Sequence, residues 1–316
     1  MLRLSTCRAS SLAAMAMFTL LACSNKEEAA PATPPEPAVA DTAAAQQSEN
    51  VFTFRVGELT AVALRDGGLE LANDNKVLGV GRTPEEVAAV LSANGLPTDK
   101  AQLSVQPLLV KSGDRVMLFD TGAGTLFGPG AGKLSGSLAE AALDPSTVTD
   151  IFISHSHGDH VGGLVNTEGQ PNYPNATVHL SKPEWDHMSA REPYAAMVAA
   201  LAAKVDAFAP GAELVPGTVK AVEVKGHTPG HSAYQISSGT DSLLYIGDSM
   251  HHYVVSVQKP EWTISFDGDS ATASASREKL IADSAASGQH IYAVHFPFPG
   301  VGKFEQRGEG FVWVGE

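Results

Sequence analysis

Apolar and polar positions alternate from Val51 onward, and the alternation is broken at intervals by glycine, proline and acidic turns. Val51–Val56 and Leu59–Leu64 read as paired strands. Thr83-Pro84-Glu85-Glu86 reads as a helix start, with a threonine cap, proline at the first position and glutamate three residues after the cap. That helix runs through Val87, Val90 and Leu91 and stops at Asn94-Gly95. Gln102–Val110 and Arg115–Phe119 follow as strands around a Ser112-Gly113-Asp114 turn, and Asp120-Thr121-Gly122 ends the second. Gly124–Gly136 reads as a flexible glycine-rich stretch and Leu138–Leu143 as helix. Ile151–Ser154 is a strand, Pro183 to about Phe208 largely an alanine-rich helix. Val219–Val224, Ser232–Ile236 and Ser242–Ile246 are strands, Arg277–Ser287 a helix and Ile291–Val294 a last strand. Strand-rich halves that each carry helices suit two sheets packed face to face with helices outside, a four-layer αββα sandwich.

The first fifty residues do not share this pattern. Arg3 and Arg8 precede a short apolar core, Ser11 to Leu21, which reads as a secretory signal over residues 1–22. Leu20-Leu21-Ala22-Cys23 resembles a bacterial lipobox, which implies lipidation of Cys23 and a place in the cell envelope. Ser24 after the cysteine resembles the outer-membrane sorting pattern, with the protein facing the periplasm. Residues 23–50, rich in Ala, Pro, Glu, Gln and Ser, lack apolar periodicity and read as a disordered tether. The globular domain is expected over 51–316.

Composition narrows the chemistry. A formal net charge of −14 disfavours nucleic acid as a partner. The two cysteines, Cys7 and Cys23, both precede the domain, so a disulfide, a thiolate metal site and a cysteine nucleophile are excluded from it. Any metal there is held by histidine and carboxylate.

The candidates for that role are dense. His155-Ser156-His157-Gly158-Asp159-His160 places four metal-binding side chains within six residues at a strand end. Gly226-His227-Thr228-Pro229-Gly230-His231, Gly247-Asp248 and His295 each follow a strand as well. In that order these segments resemble the signature of the metallo-β-lactamase-fold hydrolases, over essentially all of 51–316. The resemblance implies one divalent metal, most simply zinc, held by His155, His157 and His227. It implies a second held by Asp159, His160 and His295, with Asp248 bridging the two. Asp120 matches a position that orients a metal-binding histidine, and His231 a position that is not a ligand. Two metals hold a bridging hydroxide between them, and Asp159 beside it can move its proton.

Leu118–Gly124, Leu126–Pro129, the two histidine motifs and His295–Gly302 resemble the methyl parathion hydrolase-like branch, which includes phosphotriesterases, lactonases and arylesterases. The resemblance implies small ester, lactone or organophosphate substrates, and a homodimer. Phe127 matches a pocket aromatic of that branch. Met188 stands where the branch has tryptophan, with Trp185 one helical turn earlier. His251 stands where lactonases of the fold carry tyrosine, and is a candidate donor to a developing oxyanion. Asp248 argues against a true β-lactamase, which usually has Cys or Ser there. A β-lactamase and a non-catalytic metal-binding envelope lipoprotein are the competing readings. His179, His187, His252 and His290 read as packing or surface residues, and Phe296 and Phe298 as pocket mouth or core.

Overall fold

The computed structural model describes residues 47–316. The signal sequence, Cys23 and most of the tether lie outside the described residues. Gln47 bridges Phe52, and Ser48 Oγ accepts the Asn50 and Val51 N–H groups.

Two seven-stranded sheets form the centre. In chain order along its width, the first sheet contains Val51–Val56, Leu59–Leu64, Leu108–Ser112, Arg115–Phe119, Asp150–Phe152, Thr177–Ser181 and Val205–Phe208. The second contains Glu213–Val215, Val219–Glu223, Ser232–Ser238, Asp241–Tyr245, His290–Tyr292, Val301–Arg307 and Gly310–Gly315. Alternation assigns each strand's residues to two layers. Met117 and Phe119 face the core between the sheets with Phe152, Tyr234, Tyr245 and Tyr292. Leu118 and Ile151 face outward, under Leu134, Leu138, Met188 and Leu201 of the helical layer. On the second sheet's outer face Leu244 and Ile291 meet Leu280 and Ile281 of the helix Ser270–Ser287. The architecture is the expected αββα sandwich.

Several elements differ from expectation. Gln102–Val110 is two strands, Lys100–Val105 and Leu108–Ser112, in different sheets. Pro107 cannot donate to a ladder, and Gln106 turns inward to donate to the Ala293 and Phe296 carbonyls. Lys100–Val105 pairs with Gly67–Ala72 as an antiparallel two-stranded ribbon that lies outside both main sheets. The helix expected over 183–208 is broken at Arg191-Glu192-Pro193, and Val205–Phe208 is an edge strand parallel to Thr177–Ser181. The glycine-rich stretch contains a 3-10 turn at Gly128–Gly130, and the helix expected at 138–143 is Leu134–Glu140.

Arg115–Phe119 and Asp150–Phe152 run parallel in one sheet, and Asp241–Tyr245 and His290–Tyr292 in the other. Their C-terminal ends share one edge of the sandwich, and every candidate ligand lies just beyond it.

Candidate metal centre

The ligand loops are held together by packing before any ligand chemistry enters. Gly162 and Gly163 follow the histidine motif because no Cβ fits there. One on Gly162 would lie 2.1 Å from the Ala123 carbonyl oxygen, and one on Gly163 2.0 Å from that of Thr121. This contact seats the Asp120–Ala123 turn against the loop that carries four of the ligands.

His155 Nε2, His157 Nδ1 and His227 Nε2 form a triangle with sides of 3.0, 3.1 and 3.0 Å. No placement of protons turns all three contacts into donor–acceptor pairs, whereas a cation inside the triangle satisfies every lone pair. Ligand atoms on one tetrahedral zinc lie about 3.3 Å apart, close to these separations. Asp248 Oδ2 approaches this set, 3.3 Å from His227 Nε2 and 3.6 Å from His155 Nε2. Asp248 Oδ1 faces the other way, 3.1 Å from His160 Nε2 and 3.0 Å from His295 Nε2. Asp159 Oδ2 completes that second set, 3.7 and 3.6 Å from the same two nitrogens. His160 Nε2 and Asp248 Oδ1 are buried and have no hydrogen-bond partner among the described residues. Orphaned donor and acceptor atoms of this kind are costly unless an ion takes them up, so the residues fit divalent metal.

Protonation divides the set: against burial, nearby carboxylates raise His160 well above the usual histidine range, His227 to about 9 and His295 as well, so these give up a proton when a metal binds. Burial and the neighbouring imidazoles push His155 well below the usual histidine range and His157 down to about 4. Burial raises Asp248, but the surrounding imidazoles, led by His160 and His295, outweigh it and hold the carboxyl well below its ordinary value. Neutral imidazole and ionised carboxylate are the ligand forms.

A layer behind the ligands orients them. Asp120 Oδ2 lies 2.7 Å from His160 Nδ1 and accepts from Tyr245 Oη–H and Ser154 Oγ–H, each at 2.7 Å. Asp267 Oδ1 lies 2.9 Å from His227 Nδ1, and its other oxygen accepts from Arg277, a fully enclosed guanidinium, at 2.8 Å. His295 Nδ1–H donates to the Ser104 carbonyl at 2.7 Å. His231 Nδ1–H donates to the Val224 carbonyl, and its Nε2 accepts the Asp248 backbone N–H at 2.9 Å. His231 is therefore a backbone anchor for Asp248.

Glu184 joins the two histidine motifs. Its carboxylate accepts from Ser156 N–H and Oγ–H in one and from Thr228 Oγ–H and Gly230 N–H in the other. Asp66 does the same for the Ala123–Leu134 stretch through the N–H groups of Ala123, Gly132 and Leu134. Sequence reasoning passed over Glu184, Asp66, Asp267 and Arg277. No local pattern marks them for this role: Glu184 lies between Lys182 and Asp186, Arg277 precedes Glu278 and Lys279, Asp66 follows Arg65, and Asp267 is two residues from Asp269.

The remaining site candidates divide. His251 is 1% exposed, with Nε2 3.2 Å from Asp248 Oδ2 and both ring nitrogens without a hydrogen-bond partner. It stacks at 5.6 Å on His295 and stands outside both four-residue and three-residue ligand clusters. Phe127 and Leu126 are exposed beside the motif, and a Cβ on Gly158 would lie 2.9 Å from the Phe127 ring. Met188 is not a pocket residue: it is 1% exposed and packs with Leu180 and Leu201, because its helix turns that face to the first sheet. Trp185, partly buried, packs against the same core. Phe296 is core, and Phe298 packs partly buried at the edge of the inter-sheet core. His179 is enclosed between Asp150 and Asp206, His290 pairs with Glu316, and His252 is buried.

Comparison with known proteins agrees with this geometry. The family model of the metallo-beta-lactamase superfamily matches residues 102–286. AidC, a dizinc quorum-quenching lactonase solved with a product, is 28% identical, with a TM-score of 0.79 over 84% of this chain and 97% of that one. The hydrolase AbOPH of the beta lactamase superfamily is 27% identical, with a TM-score of 0.77 over 86% of this chain and 99% of that one. Ribonuclease Z of Salinibacter ruber is 37% identical over 79 residues, 25% of this chain and 21% of its own length.

Proposed function

The chain belongs to the metallo-beta-lactamase superfamily and is a metal-dependent hydrolase of that fold, and on that premise we propose that it cleaves neutral cyclic and aryl esters, lactones among them, with two zinc ions and with phosphotriesters as secondary substrates. The observation that carries the dinuclear reading is Asp248, whose two oxygens face different ligand sets. His155, His157 and His227 would hold one ion, Asp159, His160 and His295 the other, and Asp248 both. Such ions supply a water that ionises near neutral pH and a Lewis-acid contact for the substrate oxygen. The substrate class is supported by the likeness to AidC and AbOPH and by the apolar Leu126-Phe127 rim.

The chain's own groups have distinct tasks in this reading. Asp159 is the carboxylate that accepts the attacking water's proton and returns it to the leaving group. Burial pushes His251 below the usual histidine range, so its ring is a neutral donor. Its Nε2–H is directed at the Asp248 side of the site, where a substrate oxygen developing charge would lie. The envelope location rests on Cys23, and mass spectrometry of the membrane fraction for a lipid on that residue tests it.

Assays of the metal-loaded protein with an N-acyl homoserine lactone, dihydrocoumarin and a methyl phosphotriester test the function. Turnover of the first two is expected, and none of any, with two metals demonstrably bound, overturns the proposal. Efficient nitrocefin hydrolysis would point to a β-lactamase instead. Asp159→Ala abolishes hydrolysis in this reading and is without consequence for a metal-binding scaffold.

A further inference from the structure

The described residues line an open cavity of about 590 Å³ that contains none of the candidate metal ligands. Its walls are the paired strands Gly67–Ala72 and Lys100–Val105, the end of the helix Pro84–Ala93, and the segments around His252 and Phe298. Ser104 stands between it and the metal centre. The Ser104 carbonyl accepts from His295 Nδ1–H at 2.7 Å, while His295 Nε2 faces the carboxylates, so the cavity lies behind His295.

One largely buried side chain in the cleft wall keeps an accessible polar atom free of protein partners among the described residues. His252 is 3% exposed, and burial pushes its pKa down to about 4, so the ring is neutral at neutral pH. Its Nδ1 accepts the N–H groups of Val254 and Val255 at 3.2 and 3.1 Å. The single ring proton therefore sits on Nε2, which has no hydrogen-bond partner among the described residues. Leu69, Leu91, Leu103 and Phe298 supply apolar surface beside it. Lys100 and Glu70 pair at 2.7 Å, and Arg65, exposed to solvent, is the one further charge in the lining. A neutral N–H beside this apolar surface repels a cation's donors and matches an uncharged carbonyl. The volume falls in the range that holds a drug-sized molecule.

We propose that this cavity is a second binding site, separate from the metal centre, for a small neutral amphiphile that presents a carbonyl oxygen to His252 Nε2–H and lays an apolar chain or ring against Leu69, Leu91, Leu103 and Phe298. Nothing in this assignment depends on which ester the metal centre cleaves.

The test titrates N-hexyl-2-pyrrolidinone, a neutral lactam, into the metal-loaded protein labelled with ¹⁵N-histidine. The expected result is saturable binding with a shift of the His252 Nε2–H resonance, retained after chelation of the metals. Affinity falls roughly tenfold in His252→Phe, the loss of one hydrogen bond, and at least as far in Leu103→Trp, which fills the cavity. Hexanoate and hexylammonium bind at least tenfold more weakly than the lactam. The imidazole signal is read on unsubstituted protein, so the outcome does not depend on either variant folding. Absence of saturable binding, binding that leaves His252 Nε2–H unmoved, hexanoate binding as tightly as the lactam, or binding lost on chelation would each overturn the proposal. The last would place the lactam at the metal centre, which leaves the hydrolase reading intact.

Discussion

Asp120 takes a left-handed backbone conformation, φ 57°, which costs a non-glycine residue about 1–2 kcal/mol. Four donors converge on its carboxylate from three segments: Ser154 N–H, Ser154 Oγ–H, Tyr245 Oη–H and His160 Nδ1. The strained turn is thus the position from which one carboxylate orients a ligand and ties both sheets together. Asp120→Asn and Asp267→Asn should each weaken metal binding about 10- to 100-fold, measured by competition with a chromophoric chelator, while far-UV circular dichroism stays unchanged. Asp150, at the other end of its strand, is a contrasting case. Burial would raise its carboxyl, but His179, Thr149 and Arg115 outweigh burial and lower it to about 2. The folded state therefore gains stability from ionised Asp150 above pH 4, and loses it as pH falls through 4 toward 2. Asp150→Asn should remove on the order of 2 kcal/mol at neutral pH. The difference from the unsubstituted protein should vanish by about pH 2 in urea titrations. Residues of this kind were the hardest to read in the chain. Ser181-Lys182-Pro183-Glu184 has the form of a helix capping box, which accounts for the glutamate locally, yet its carboxylate serves the two histidine loops.

Strands whose alternation is clean appear where expected, as Val51–Val56, Leu59–Leu64 and Arg115–Phe119 do. The helix with a cap, a first-turn proline and a glutamate at the third position has both capping-box bonds, between Thr83 and Glu86. Elements went unread where local signals conflict. Alanine runs through 195–203, but Pro193 interrupts the helix, and Val205–Phe208 is a strand because Thr177–Ser181 offers it an edge. Gly67–Ala72 begins at two glycines, and its strand exists through the pairing partner Lys100–Val105. At the site, the elements are linked by buried carboxylates and close backbone contacts. Removing Glu184 by substitution with alanine orphans two backbone and two hydroxyl donors, and should destabilise the metal-free protein by roughly 3 kcal/mol. Glu184→Gln, which keeps the shape and part of the bonding, should cost less than half of that, as read from urea midpoints at constant m-value. Gly162→Ala meets backbone rather than a mobile side chain and should cost about 3 kcal/mol, with lowered metal occupancy as the accompanying sign.

For the molecule as a whole, the two-sheet core is separate from the ligand edge. The packed aromatics Phe119, Phe152, Tyr234, Tyr245 and Tyr292 lie between the sheets without a metal ligand among them. Stripping the metals with a chelator should therefore abolish hydrolysis and lower the melting temperature, by the mass-action loss of a ligand that binds only the folded state. Secondary structure should survive, and adding zinc should restore both losses. Differential scanning calorimetry and circular dichroism on the same samples decide this. The charge of −14 bears on partners and not on the fold, and among the described residues no helix is long and apolar enough to cross a membrane. By itself the sequence determined the layer pattern, the seven candidate ligands and the reaction class. Alternation and dense histidine spacing are local properties, written within a few residues. Only the tertiary structure decided that Asp248 turns one oxygen to each ligand set, that Met188 is core, and that Glu184, Asp267 and Arg277 support the ligands. It alone placed His252 in the wall of an open cavity. Each of these depends on what stands opposite a side chain across the sandwich, at separations in sequence that no local pattern spans.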